Sequence, residues 1–120
     1  LTRYLLVGAA GICGSLVRYI LGKVLADKTH RSFPFGTMLI NITGALLLGF
    51  VNSVGLSGNL LCLLADGFLG AYTTFSTFMY EGFSLFHDKK RLNAAVYILG
   101  SVALGVLFYT AGMAAARTLP

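Results

Sequence analysis

Apolar side chains run almost unbroken through four stretches of this chain, and polar or glycine-rich positions punctuate the gaps between them. The first run covers Tyr4 to Ala26, too long for a signal-peptide core. The second opens after Ser32-Phe33-Pro34 and loosens at Asn52-Ser53 and Gly55 to Gly58, with no charged residue between Arg31 and Asp66. The third contains Asp66 and Glu81 and stops at His87-Asp88-Lys89-Lys90-Arg91, and the fourth, Leu92 to Ala116, is uncharged throughout. A helix needs about 20 apolar residues to cross about 30 Å of hydrocarbon. The pattern therefore predicts an all-α membrane protein of four transmembrane helices at about 4–26, 35–52, 59–86 and 92–116, forming one domain over 1–120.

Composition reinforces the pattern. Hydrophobic residues make up 57% and charged residues 11%, whereas a water-facing surface draws on roughly 25% charge, so lipid is the natural solvent. Once four crossings are allotted, no length remains for a soluble catalytic domain. The formal charge of +5 would suit nucleic acid, but Arg3, Lys28, Arg31, Lys89, Lys90, Arg91 and Arg117 fall at the ends of apolar runs, where lipid headgroups are met. Membrane lipid, and no nucleic acid, is the expected partner. Only Arg18 and Lys23 intrude into an apolar run. Cys13 and Cys62 lie in apolar stretches without metal-ligand spacing. The 15 glycines, among them Gly8, Gly11, Gly14, Gly44, Gly49, Gly100, Gly105 and Gly112, permit close helix contact and point to a tight oligomer. Four helices pack their own interior shut, so an aqueous pathway asks for two copies.

Polar groups inside hydrocarbon are costly, which makes them the informative set. No Ser-His-acid or Cys-His grouping and no paired carboxylates occur among them, His30 and His87 sit in loops, and enzymatic chemistry has no apparatus. The densest signal is Gly67-Phe68-Leu69-Gly70-Ala71-Tyr72-Thr73-Thr74-Phe75-Ser76-Thr77-Phe78 in the third helix. Glycines followed by β-branched hydroxyl residues make a poor helix, so the third helix is expected to break at mid-membrane. Freed carbonyls there can coordinate a cation. Thr37 and Asn41 are four apart on the second helix, and Tyr97, Ser101, Gly105 and Tyr109 form a stripe on the fourth. N–H and O–H donors outnumber fixed negative charges, and with aromatic edges they suit an anion.

At these residues the sequence resembles the Fluc (CrcB-like) family of small fluoride channels. The resemblance rests on Gly11-x-x-Gly14-x-x-x-Arg18, Pro34-x-Gly36-Thr37-x-x-x-Asn41, and Gly67-x-x-Gly70-x-x-Thr73-Thr74-Phe75-Ser76-Thr77-Phe78. It implies an antiparallel, dual-topology homodimer in the bacterial inner membrane, passively exporting fluoride along two pathways, with a structural Na⁺ at the dimer centre. It would make Phe75 and Phe78 pore-lining rings, Asn41 a fluoride donor, Tyr97 and Ser101 the start of a polar track, and main-chain carbonyls of Gly70 and Thr73 the Na⁺ ligands. Thr37, Ser76 and Thr77 complete the expected fluoride pathway. Gly105 departs from the family by replacing a common hydroxyl. Arg18 is expected to tie helix ends or a vestibule, and Glu81 to face a vestibule or cap another helix.

A four-helix, proton-coupled small multidrug antiporter is the alternative. It would need a carboxylate in the first helix and aromatic cages, typically with Trp; that helix is read as carrying Arg18 and Lys23 but no acid, and Trp is absent. A structural or assembly protein without transport is the third reading.

Overall fold

The computed structural model describes residues 1–29 and 33–119, so the loop readings of His30, Arg31 and Ser32, like the Lys28 side chain, lie outside the described residues. All regular structure among the described residues is helical: α1 (Thr2–Thr29), α2 (Phe35–Ser53), α3 (Gly58–Leu61), a π-helical segment (Cys62–Leu69), α4 (Gly70–Tyr72), α5 (Ser76–His87) and α6 (Arg91–Arg117). Four spans are long and apolar enough to cross a membrane: Thr2–Asp27, Phe35–Ser53, Gly58–His87 and Arg91–Arg117. The long dimension of 46 Å suits a bilayer of about 40–45 Å including its headgroups. The protein is therefore a multi-pass membrane protein.

Each boundary has a local cause. Pro34 immediately precedes α2, a position where its missing N–H costs nothing. The turn after α2 uses Gly55 at φ 94° and Gly58 at φ 63°, left-handed values that a Cβ disfavours. Asp27, expected to lie just beyond the first helix, instead falls within the last turn of α1. Its position at the end of the span leaves the middle of α1 without an acid.

Glycine sets the packing. α2 lies mainly against α6, and α1 mainly against the π-helical segment. A Cβ on Gly49 would stand 2.1 Å from the Tyr109 carbonyl oxygen, and one on Gly112 2.1 Å from that of Leu46. Gly14 meets the Phe68 carbonyl and Gly67 meets Ala10 and Val7 in the same way. These four glycines are thus consumed in contacts within one chain. What a second copy could meet is a surface rich in large apolar residues, including Ile12, Leu16, Tyr19, Ile20, Phe75, Tyr80 and Phe83.

Candidate functional site

Regular helix stops at Tyr72 and resumes at Ser76, with Thr73 extended at φ −80°, ψ 161°. A backbone so interrupted must find new partners. The Asn41 side chain of α2 supplies them: its Nδ2 donates to the Thr74 carbonyl at 2.9 Å, and its Oδ1 accepts from the Thr74 N–H at 2.9 Å. One side chain thereby imitates a two-point strand pairing across 33 residues of sequence. The Thr74 Oγ1 in turn accepts from the Thr77 N–H at 3.3 Å, starting the next helix. Gly44, one turn along α2 from Ile40, leaves room for the Thr73 methyl, which would stand 2.3 Å from a Cβ there.

These diversions release carbonyls. In an unbroken helix the Gly70 and Thr73 oxygens would accept from the N–H groups of Thr74 and Thr77, yet those donors go to Asn41 and to the Thr74 hydroxyl. Gly70 is exposed. Two freed, neutral, hard oxygens per chain fit a monovalent cation better than a transition metal. No cluster of three His, Cys, Asp or Glu side chains occurs among the described residues.

Beside Asn41 stand the aromatic rings. Phe75 and Phe78 have centroids 6.2 Å apart, and Phe78 and Tyr97 5.3 Å apart. The first two differ in surroundings: Phe75 precedes α5 and is 73% exposed, whereas Phe78 is 8% exposed and packs with Leu85, Ala94 and Tyr97. Two open cavities flank the pair. One of about 260 Å³ touches Asn41, Gly44, Thr73, Thr74, Phe75 and Phe78. The other, about 270 Å³, touches Asn41, Phe78, Ser101 and Gly105. A Cβ on Gly105 would meet nothing within 4 Å, so the missing hydroxyl leaves space rather than a filled wall.

Tyr97 Oη and Ser101 Oγ are buried without a hydrogen-bond partner. Buried hydroxyls are rarely left so; Ser101 lines the cavity beside Phe78, while Tyr97 is fully buried behind it with its ring packed on Phe78. Tyr109, further along the same α6 stripe, is different: its hydroxyl accepts from Asn52 Nδ2 at 3.1 Å and ties α6 to α2. Tyr72 likewise shares a hydrogen bond with Thr43 at 2.9 Å.

Thr37 donates to the Glu81 carboxylate, so Glu81 tethers α5 to the first turn of α2. Spacing could not choose between that role and a vestibule. Arg18, with its Nε buried and unpartnered, lines a third cavity of about 480 Å³ together with Tyr19, Lys23, Thr37, Thr74 and Thr77. Thr37 and Thr77 are thus gathered on the Arg18 side of the break and Asn41, Phe78 and Ser101 on the other, with Thr74 lining cavities on both. Ser76 is exposed and lines none of these cavities. Thr74 was not foreseen as a site residue; its backbone, which carries no sequence signal, is what the site is built around.

The family described as CrcB-like protein, Camphor Resistance (CrcB), matches residues 5–113 of the chain. The Fluoride-specific ion channel FluC 2 of Clostridium acetobutylicum is 57% identical over 91% of this chain and 93% of its own length. The Fluoride-specific ion channel FluC of Nitratidesulfovibrio vulgaris is 41% identical over 96% and 97%, and FluC 1 of Ligilactobacillus salivarius 50% identical over 78% and 82%.

Proposed function

The chain belongs to the CrcB-like family, and from that premise we propose that it is a fluoride-specific ion channel of the cell inner membrane, conducting passively and protecting the cell by letting fluoride out. The observation that carries the reading is the pair of buried, unpartnered hydroxyls of Tyr97 and Ser101 beside the Phe78 ring. Fluoride is small and tightly hydrated, so a conducting path must replace its water with close donors while remaining easy to leave. Hydroxyls, the Asn41 amide proton not used at Thr74, and the positive edges of Phe75 and Phe78 do this without a full charge. Thr37 and Thr77 extend the set into the Arg18 cavity, Ser76 stays on the exposed surface beside the break, and Arg18 draws the anion in from water.

The working unit in this reading is an antiparallel homodimer. Non-helical backbone at membrane depth is tolerated only when covered by protein or lining a cavity, and the break at Thr73 to Phe75 interrupts the third apolar span with Phe75 exposed in the single chain. A second copy covers it. The freed carbonyls of Gly70 and Thr73 from both chains would then hold a structural Na⁺, supplying a fixed positive charge between the two pathways.

Purified protein in liposomes tests the function. Fluoride should leave rapidly and chloride hardly at all, with or without a proton gradient; equal chloride efflux, or efflux only under a pH gradient, would overturn it.

A further inference from the structure

Asp66 is an exposed acid eight residues into the third span, within the π-helical segment. Its side chain makes no hydrogen bond or ion pair with another described residue. Carboxylates at such a depth face protein or water rather than lipid, and pair with a cation. The candidate cations inside the spans are Arg18 and Lys23 of α1; Lys23 is exposed and, like Asp27 one turn beyond it, makes no ion pair with another described residue.

Depth decides between them. α1 and the third span run parallel, with Val7 and Ala10 beside Gly67, Gly11 beside Ala71, and Arg18 and Lys23 sharing a cavity with Thr74 and Thr77. The break at Thr73 to Phe75 is therefore level with the region of α1 just before Arg18. Asp66 lies about 10–12 Å to one side of that level and Lys23 about the same distance to the other, at 1.5 Å per residue. Within one chain the two are far apart. A twofold axis in the membrane plane through the break carries each to the depth of the other, whereas a parallel pairing brings acid to the level of acid.

We propose that Asp66 of each chain pairs with Lys23 of the second, antiparallel copy, giving two reciprocal ion pairs that fix the relative direction of the chains and temper the positive charge at the mouth of the Arg18 cavity. Arg18 sits about five residues nearer the break and is half-buried in its own cavity, which leaves Lys23 as the match. The inference rests on the antiparallel reading above.

Two measurements test it, both with Cys13→Ala and Cys62→Ala removing the native thiols. Asp66→Cys combined with Lys23→Cys should be joined by a short bifunctional thiol reagent into a covalent dimer, while Asp66→Cys alone should not. Asp66→Lys should largely abolish the dimer in detergent by light scattering, and adding Lys23→Asp should restore it. A wild-type dimer in which the cysteine pair stays unlinked and the charge exchange restores nothing would overturn the ion pair alone. Asp66→Cys linking to itself, or a wild-type monomer, would overturn the antiparallel reading with it.

Discussion

Replacing Phe78 by isoleucine preserves apolar bulk but removes the aromatic ring, with its positive edge, from the cavity it lines with Asn41 and Ser101, so packing and ion stabilisation separate at this position. Phe78→Ile and Phe75→Ile should each lower fluoride efflux from liposomes by orders of magnitude while the protein still elutes as an intact dimer; undiminished efflux would reduce both rings to packing. Asn41 behaves differently because it has two tasks. Asn41→Asp loses the donor to the Thr74 carbonyl and puts an acceptor on the ion path, so efflux should vanish. Asn41→Ala leaves the Thr74 N–H and carbonyl unpaired, at about 1–3 kcal/mol for each buried group, and thermal unfolding in detergent should fall measurably below that of the Phe variants. Sequence pattern could single out Asn41 as a polar group in lipid, but not that its partner is the backbone 33 residues away, because backbone partners leave no residue type to read. The Thr37 to Glu81 bond, spanning 44 residues, was hidden for a related reason: two polar residues on different helices give no register between those helices.

Between helices the decisive contacts are backbone against backbone. Gly112 and Gly49 admit α6 and α2 to each other so closely that any side chain would overlap a carbonyl oxygen, and a backbone atom cannot swing aside as a flexible side chain can. Gly112→Ala should therefore lower the unfolding temperature in detergent. Gly105→Ala, on the same helix but facing open space, should leave it unchanged or raise it, since alanine favours a helix by about 1 kcal/mol over glycine. Equal shifts for the two would mean that helix propensity rather than close approach governs these positions. The four spans were legible from apolar runs alone, because membrane thickness imposes their length. Which glycines serve packing inside the chain was not, since a small residue suits any close approach and only the crossing points of the helices distinguish one from another. The π-helical turn of Cys62–Leu69 was equally hidden: one extra residue per turn changes hydrogen bonding without requiring a different residue type.

For the whole molecule two physical influences on the direction of insertion oppose each other. With an even number of spans, both termini and the turn after α2 share one side and contribute Arg3 and Arg117, while the other two connections contribute Lys28, Arg31, Lys89, Lys90 and Arg91. Counted as loop charge, this asymmetry would hold the second set in the cytoplasm in every copy. Against it stand the exposed break around Thr73, which a second copy would cover in the proposed dimer, and the match in depth between Asp66 and Lys23 only when the copies are opposed. Insertion of both orientations in equal number follows if those contacts select among copies that enter the membrane either way. Ser57, exposed in the turn after α2, offers a probe: Ser57→Cys, with Cys13 and Cys62 replaced by alanine, is treated in intact cells with a thiol reagent that cannot cross the membrane. About half of the protein should react, and the remainder should react once the membrane is opened. Labelling of all copies or of none would mean that the loop charges set a single orientation, and the antiparallel dimer would fall with that result.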